Sequence, residues 1–142
     1  MEAYENKSIL LNVLKKVLEK DEDILFAYLY GSRVNSPTHL ESDIDIAIYL
    51  RPSEMKGFIE KDKKLTSMLI TELRTDKIDL RILNVAPFLL KYKIIKEGVP
   101  IVIRDEVERV DFETRVMNKF FELKPYLDEY QQMLSLRVKT GV

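Results

Sequence analysis

Residues 43–50 read Asp-Ile-Asp-Ile-Ala-Ile-Tyr-Leu, a strict alternation that makes a usable surface only in an extended chain. Side chains on a strand point to opposite faces in turn. Ile44, Ile46, Ile48 and Leu50 therefore form one apolar face, and Asp43, Asp45, Ala47 and Tyr49 the other. A strand of this kind has to bury its isoleucine face under another layer, which commits the chain to a sheet covered by further elements. A second alternation, from Lys77 to Asn84, sets Ile78, Leu80 and Ile82 on one side and Asp79, Arg81 and Leu83 on the other.

The remaining segments supply the cover. Ile9, Val13 and Val17, with Leu10, Leu14 and Leu18, recur at helical spacing, so residues 4–20 read as an amphipathic helix. The charged stretch Asp21-Glu22-Asp23 breaks it. The apolar run Ile24 to Tyr30 is short enough for a buried strand, which Gly31-Ser32 ends before a polar loop with Asn35, Ser36 and Pro37. Pro52-Ser53 opens a long helix reaching Thr75, with Phe58, Leu65, Leu69 and Leu73 as its buried positions. Pro87 starts a helix that Gly98 terminates, and Pro100 to Arg104 is a short strand. From Asp105 the pattern is helical, with Asp105 and Glu108 as a capping pair. Phe112, Val116, Phe120 and Leu123, then Leu127, Tyr130 and Leu134, keep near-helical spacing. Pro125 lies between these groups, so the tail is one kinked helix or two helices. The expectation is an α/β (α+β) domain: a small mixed sheet with flanking helices over residues 1–104, and a helical tail over 105–142.

Composition removes several chemistries. The 142 residues contain no Cys and one His, His39, which excludes a disulfide scaffold, a cysteine nucleophile and a multi-His zinc site. Any metal must be held mainly by carboxylates, which suits Mg2+ or Mn2+. Lys plus Arg number 23 against 24 Asp plus Glu, a net charge of −1, so no direct nucleic-acid partner is expected. No apolar run reaches the roughly 20 residues of a membrane span. The first residues show no basic stretch followed by an apolar one, so the expected location is the cytoplasm.

The carboxylates carry the chemistry. Asp43 and Asp45, two apart on a strand, project from one face, close enough to share divalent ions. Aspartates are poor strand residues, and two on an isoleucine-rich strand are costly without a compensating charge. If the second alternating strand is a neighbour, Asp79 joins them. Three carboxylates around two metal ions are a recurring apparatus for phosphoryl or nucleotidyl transfer. Ahead of them an apolar strand runs into Gly31-Ser32, a turn whose N–H groups and Ser32 hydroxyl can cradle phosphate oxygens, and Arg33 can neutralise a triphosphate.

Together Gly31-Ser32, ten intervening residues, and Asp43-x-Asp45 resemble the signature of the DNA polymerase β-type nucleotidyltransferase superfamily, with Asp79 in Lys77-Ile78-Asp79-Leu80 matching its third carboxylate. The small size resembles the minimal, MNT-type members. The segments Pro87 to Gly98, Ile101-Val102-Ile103 and Phe112 to Tyr130 look like the MNT antitoxin branch. That resemblance implies a polymerase β-like fold and a helical HEPN-domain ribonuclease toxin as partner in a hetero-oligomer. It implies transfer of AMP from ATP to a toxin tyrosine. Asp43 and Asp45 would bind two Mg2+ ions and Asp79 one of them, with Asp79 either accepting the acceptor proton or helping the metal lower the hydroxyl pKa, and Gly31, Ser32 and Arg33 would bind the outer phosphates. The alternatives are an antitoxin that acts by binding alone and transfer to a small molecule.

Around these residues the expectations are plainer. Arg81 reads equally as a substrate contact or as a charge partner of Asp79. Tyr49 reads as packing, His39 as a loop residue, and Lys61, Lys63 and Lys64 as a solvated face. The tail aromatics Phe112, Phe120, Phe121, Tyr126 and Tyr130 are expected to cover the core, some of them also meeting a partner.

Overall fold

A computed structural model of the chain describes residues 7–31 and 43–140. It runs α1 (Lys7–Glu19), β1 (Ile24–Tyr30), β2 (Ile44–Leu50), α2 (Met55–Leu73), β3 (Ile78–Ile82), a 3-10 turn (Leu83–Val85), α3 (Phe88–Glu97), β4 (Val99–Ile103) and α4 (Glu106–Thr140). The expected element order holds throughout. Ser32, Arg33, His39, Glu41 and Ser42 lie outside the described residues.

The strands form one mixed sheet in the order β3-β2-β1-β4. β1 is antiparallel to both its neighbours, and β2 is parallel to β3. The parallel pair needs a crossover, and α2 provides it. All seven residues of β1 are buried, as its continuous apolar run requires of a strand covered on both faces. One face packs Ala27, Leu29, Ile44, Ile46 and Ile48 against Leu10, Leu14 and Leu18 of α1 and Leu65 and Leu69 of α2. The opposite face packs Phe26, Tyr28, Tyr30 and Ala47 against Ile94 of α3 and Phe112 and Val116 of α4. Tyr49 packs as expected, stacked on Phe26 at 4.7 Å between ring centroids and tilted against Phe112.

The helix ends show where local chemistry was readable. Asp105 caps α4, its Oδ1 accepting the Glu108 N–H at 3.1 Å. Gly98 ends α3 but with φ −74, so its use is not a left-handed turn. A Cβ there would stand 2.4 Å from the Ile94 carbonyl oxygen and 3.3 Å from the Tyr28 Cβ, and the clash with the helix's own last carbonyl is what demands glycine. The left-handed cap falls instead on Arg74, at φ 54 after α2.

Two expectations are corrected. Lys61 is not part of a solvated face: its Nζ pairs with Asp21 at 2.9 Å and Asp23 at 3.0 Å, joining the α1–β1 loop to α2. The tail is one helix through Pro125, and its aromatics divide. Phe112 is buried and Phe120 stacks on Tyr92 at 3.9 Å between centroids, whereas Phe121, Tyr126 and Tyr130 are 61–70% exposed and cover no core. The apolar spacing simply continues past the point where the sheet beneath it ends. Among the described residues, no helix is long and apolar enough to cross a membrane.

Candidate active site

The end of the sheet where β1 stops and β2 and β3 begin gathers the acidic residues. Tyr30 lies opposite Asp45 across the antiparallel ladder, and Asp45 lies directly opposite Asp79 across the parallel one. Register therefore answers the question the sequence left open: the two alternating strands are neighbours, and their aspartates share a face. Asp43 immediately precedes β2 and is exposed, and its charge reaches Asp45.

Gly31 closes this arrangement. Its φ of +81 lies in the left-handed region that favours glycine. A Cβ at that position would meet Asp45 Oδ2 at 2.2 Å, so the turn and the carboxylate occupy adjoining space that only a hydrogen leaves open.

The electrostatics show how crowded the carboxylates are. Burial pushes the Asp45 carboxyl up to about 6, and the charges of Asp79 and Asp43 and a hydrogen bond with Asp79 push the same way. The charge of Lys93 opposes them. The Tyr30 phenol is pushed up to about 12 by burial, then by Asp45 and Asp79, against the pull of Arg81. Arg81 Nε lies 3.2 Å from Asp79 Oδ1, which makes it a charge partner of Asp79 in this state.

A cluster that holds more negative charge than it can comfortably ionise has the donor chemistry of a divalent-cation site: hard oxygen ligands whose repulsion a cation would relieve. Among the described residues, no three His, Cys, Asp or Glu side chains are drawn tightly around an ion position as they stand. Asp45 and Asp79, with Asp43 beside them, fit such an ion by chemistry and by shared face.

The structure brings Gly31, Asp45 and Asp79 together and sets Asp43 at the border, while Ser32 and Arg33 lie outside the described residues. Two residues near the carboxylates were missed. Tyr30 reads only as the last apolar residue of β1, and its place across from Asp45 follows from pairing, which no local pattern displays. Lys93 lies on a helix between apolar positions, and nothing in its neighbours marks it.

A mixed sheet with in-register aspartates beside a strand-ending glycine turn is a frame for phosphate chemistry. The family described as Polymerase beta, Nucleotidyltransferase matches residues 12–107, and the chain belongs to that family. Comparison with curated proteins finds no match. Among solved structures, a toxin–antitoxin complex with AMP-PNP contains a chain of TM-score 0.67 at 21% identity, with 85% of this chain and 98% of that chain covered. A mutant toxin–antitoxin complex, MntA–HpeT, gives TM-score 0.67 at 20% identity, with the same coverage. A complex of tri-AMPylated Shewanella oneidensis HEPN toxin with MNT antitoxin gives 0.64 at 19%, covering 89% of this chain and 99% of that one. The fold is thus the polymerase β-like nucleotidyltransferase fold.

Proposed function

We propose that the chain is an antitoxin that transfers AMP from ATP to a tyrosine hydroxyl of a helical HEPN-type ribonuclease toxin, with release of pyrophosphate. The observation that carries the reading is the register of Asp45 against Asp79, on one face and against the Gly31 turn, in a chain of the nucleotidyltransferase family. The protein partner is supported by likeness to MNT antitoxins in complexes with toxins, one of them AMPylated. It is also supported by the exposed Phe121, Tyr126, Tyr130 and Leu134 along α4. ATP as donor is supported by the complex with AMP-PNP. The setting is the cytoplasm, where ATP is available.

Asp43, Asp45 and Asp79 would hold two Mg2+ or Mn2+ ions, which supply positive charge to the triphosphate and lower the pKa of the acceptor hydroxyl. The chain's own work is positioning. The Gly31 turn, with Ser32 and Arg33 following it, receives the phosphate oxygens. Asp79 then takes the proton of the attacking hydroxyl. The acceptor oxygen bonds to the α-phosphorus as the bond to the bridging oxygen breaks in line, and the electron pair leaves on pyrophosphate.

The test uses α-labelled ATP, Mg2+ and the helical partner protein, with Asp43→Asn/Asp45→Asn as control. Label on the partner, lost in the control along with pyrophosphate release, is the expected result. Neutralisation of the partner by the control protein without any label would mean that binding alone suffices.

A further inference from the structure

We propose that the open edge of β3 receives an extended segment of the acceptor protein as an added strand, which sets the acceptor tyrosine opposite Asp79. This rests on the nucleotidyl-transfer reading above and assigns the surface that presents the acceptor to the site.

β3 is an end strand, and its single neighbour sets its phase. The Ile44 N–H donates to the Lys77 carbonyl at 2.8 Å, with Ile44 paired to Ile78. In a parallel ladder this turns the main-chain groups of Asp79 and Arg81 toward β2, and those of Ile78, Leu80 and Ile82 outward. Among the described residues, no hydrogen bond engages these outward groups. The opposite edge of the sheet is blunted: β4 carries Pro100, and its pairing with β1 slips between Ala27 and Tyr28. β3 contains no proline, and its register with β2 is unbroken. It is the edge left competent to accept a strand.

The space beside this edge fits a peptide. Leu80, Arg81 and Ile82 line one cleft. Successive strand residues point to opposite faces, so a cleft that touches all three runs along the edge. Met55 and Ile59 of α2 stand on one side of it and Leu90 of α3 on the other. At about 220 Å³ it is smaller than the roughly 300–1,000 Å³ of small-molecule sites and suits a single apolar side chain.

Register then dictates the chemistry of the occupant. A residue directly opposite Asp79 on an added strand shares its face, and the side chains of such pairs reach each other. A tyrosine there joins the face that holds Asp79 and Asp45. The next residue turns to the side of Leu80, where Met55 and Ile59 ask for an apolar side chain. The one after stands opposite the exposed Arg81, where an acidic side chain completes the charge. The recognised element is thus an extended tyrosine–apolar–acidic run, in either chain direction. Main-chain bonds hold such a strand, and its alternate side chains give selectivity. The exposed apolar residues of α4 hold the body of the partner, so the β3 edge governs presentation of the acceptor and not capture.

The experiment compares the full chain with Met55→Asp and Ile59→Asp, which alter side chains 57% and 48% exposed. A charge in the cleft is expected to slow labelling of the helical partner by α-labelled ATP at least about tenfold, with Mg-ATP affinity and co-purification unchanged. Amide hydrogen exchange of the wild type, read by NMR, gives the strand signature. Adding the partner should slow the Ile78, Leu80 and Ile82 amides and leave Asp79 and Arg81, already bonded to β2, as they were. Labelling by both variants at the wild-type rate overturns the proposal, and a parallel loss of Mg-ATP affinity does so by making the cleft a nucleotide contact. Equal slowing of all the β3 amides also overturns it, since that is a covered surface without strand pairing. The alternating pattern in the chain alone, growing with its concentration alongside a doubled mass, would assign the edge to a second copy instead. A wild-type chain that labels no partner sinks the nucleotidyl-transfer reading, whereas a labelled partner with an unprotected edge removes only the docking.

Discussion

Gly31 links backbone geometry to side-chain chemistry at a single residue. Its positive φ would cost any other L-residue about 1–2 kcal/mol, and the space its missing Cβ leaves is filled by Asp45 Oδ2. The two constraints act together, since an alanine must strain the turn and also displace the carboxylate. Gly31→Ala is expected to lower stability by about 1–2 kcal/mol, read as a thermal midpoint several degrees lower. It should also reduce AMP transfer by roughly two orders of magnitude, because a displacement near 1 Å at a reacting group costs about that much. Thermal unfolding and single-turnover transfer check the pair of effects. Transfer at the wild-type rate would mean that Asp45 does not need its present position. The glycine and the aspartates were legible as a spaced motif, because each residue type is poorly suited to its place unless a ligand or a turn requires it. The place of Tyr30 across from Asp45 was not legible, because it follows from strand pairing, which no local pattern displays.

Among the elements, the unit β2–α2–β3 does most to build the site. Alternation announced both strands and fixed which side of each faces the core, but it could not announce their pairing. Parallel neighbours joined by a helix of 19 residues leave no local trace of their register. The same limit explains Lys61, whose partners Asp21 and Asp23 lie 40 and 38 positions away in sequence but within 3.0 Å in space. Burial pushes the Asp21 carboxyl up, yet the ion pair with Lys61 and the hydrogen bond from the Asp23 N–H, with the charge of Lys64, outweigh it and hold Asp21 below its ordinary value of 3.8. A lowered carboxylate contributes stability that is present above its ordinary value and lost as pH falls through the lowered one. The Lys61 ammonium is raised by its bond to Asp21, so its contribution is full below 10.5 and is lost as pH rises through the raised value. The pair is therefore fully active at neutral pH. Lys61→Ala is expected to cost roughly 1–3 kcal/mol at pH 7, as the buried carboxylate loses its charged donor. That difference should shrink as pH falls below 3.8 and through the lowered value of Asp21. Denaturant unfolding of both proteins across that range checks it, and a penalty that stays constant down to low pH would assign the effect to packing instead.

For the whole molecule, the question is why α4 is longer than the sheet it covers. Its first turns are fastened: Asp105 caps it, the Tyr28 hydroxyl donates to Glu113 Oε1 at 2.7 Å, and Phe112 and Val116 are buried under it. Phe120 makes the last stacked contact, with Tyr92. Beyond that point the helix carries Phe121, Tyr126, Tyr130, Met133, Leu134 and Leu136 into solvent, each more than 40% exposed. Isolated apolar residues on a surface are ordinary, but a run of large ones on one projecting helix is the kind of patch that marks an interaction surface. A helix laid into a groove between partner helices is the docking mode such a projection suits. The two halves of α4 should therefore separate experimentally. A chain ending at Pro125 keeps every fastened residue, and Phe121, and loses the other exposed ones. It is expected to unfold within about 2 °C of the full chain, since among the described residues it loses no buried side chain, and to bind Mg-ATP with unchanged affinity. It should fail to co-purify with the helical partner and fail to label it. Labelling at the full-chain rate by the shortened protein would place the partner contact elsewhere on the molecule. A large drop in the unfolding midpoint would show that the projecting half of α4 belongs to the fold of the core.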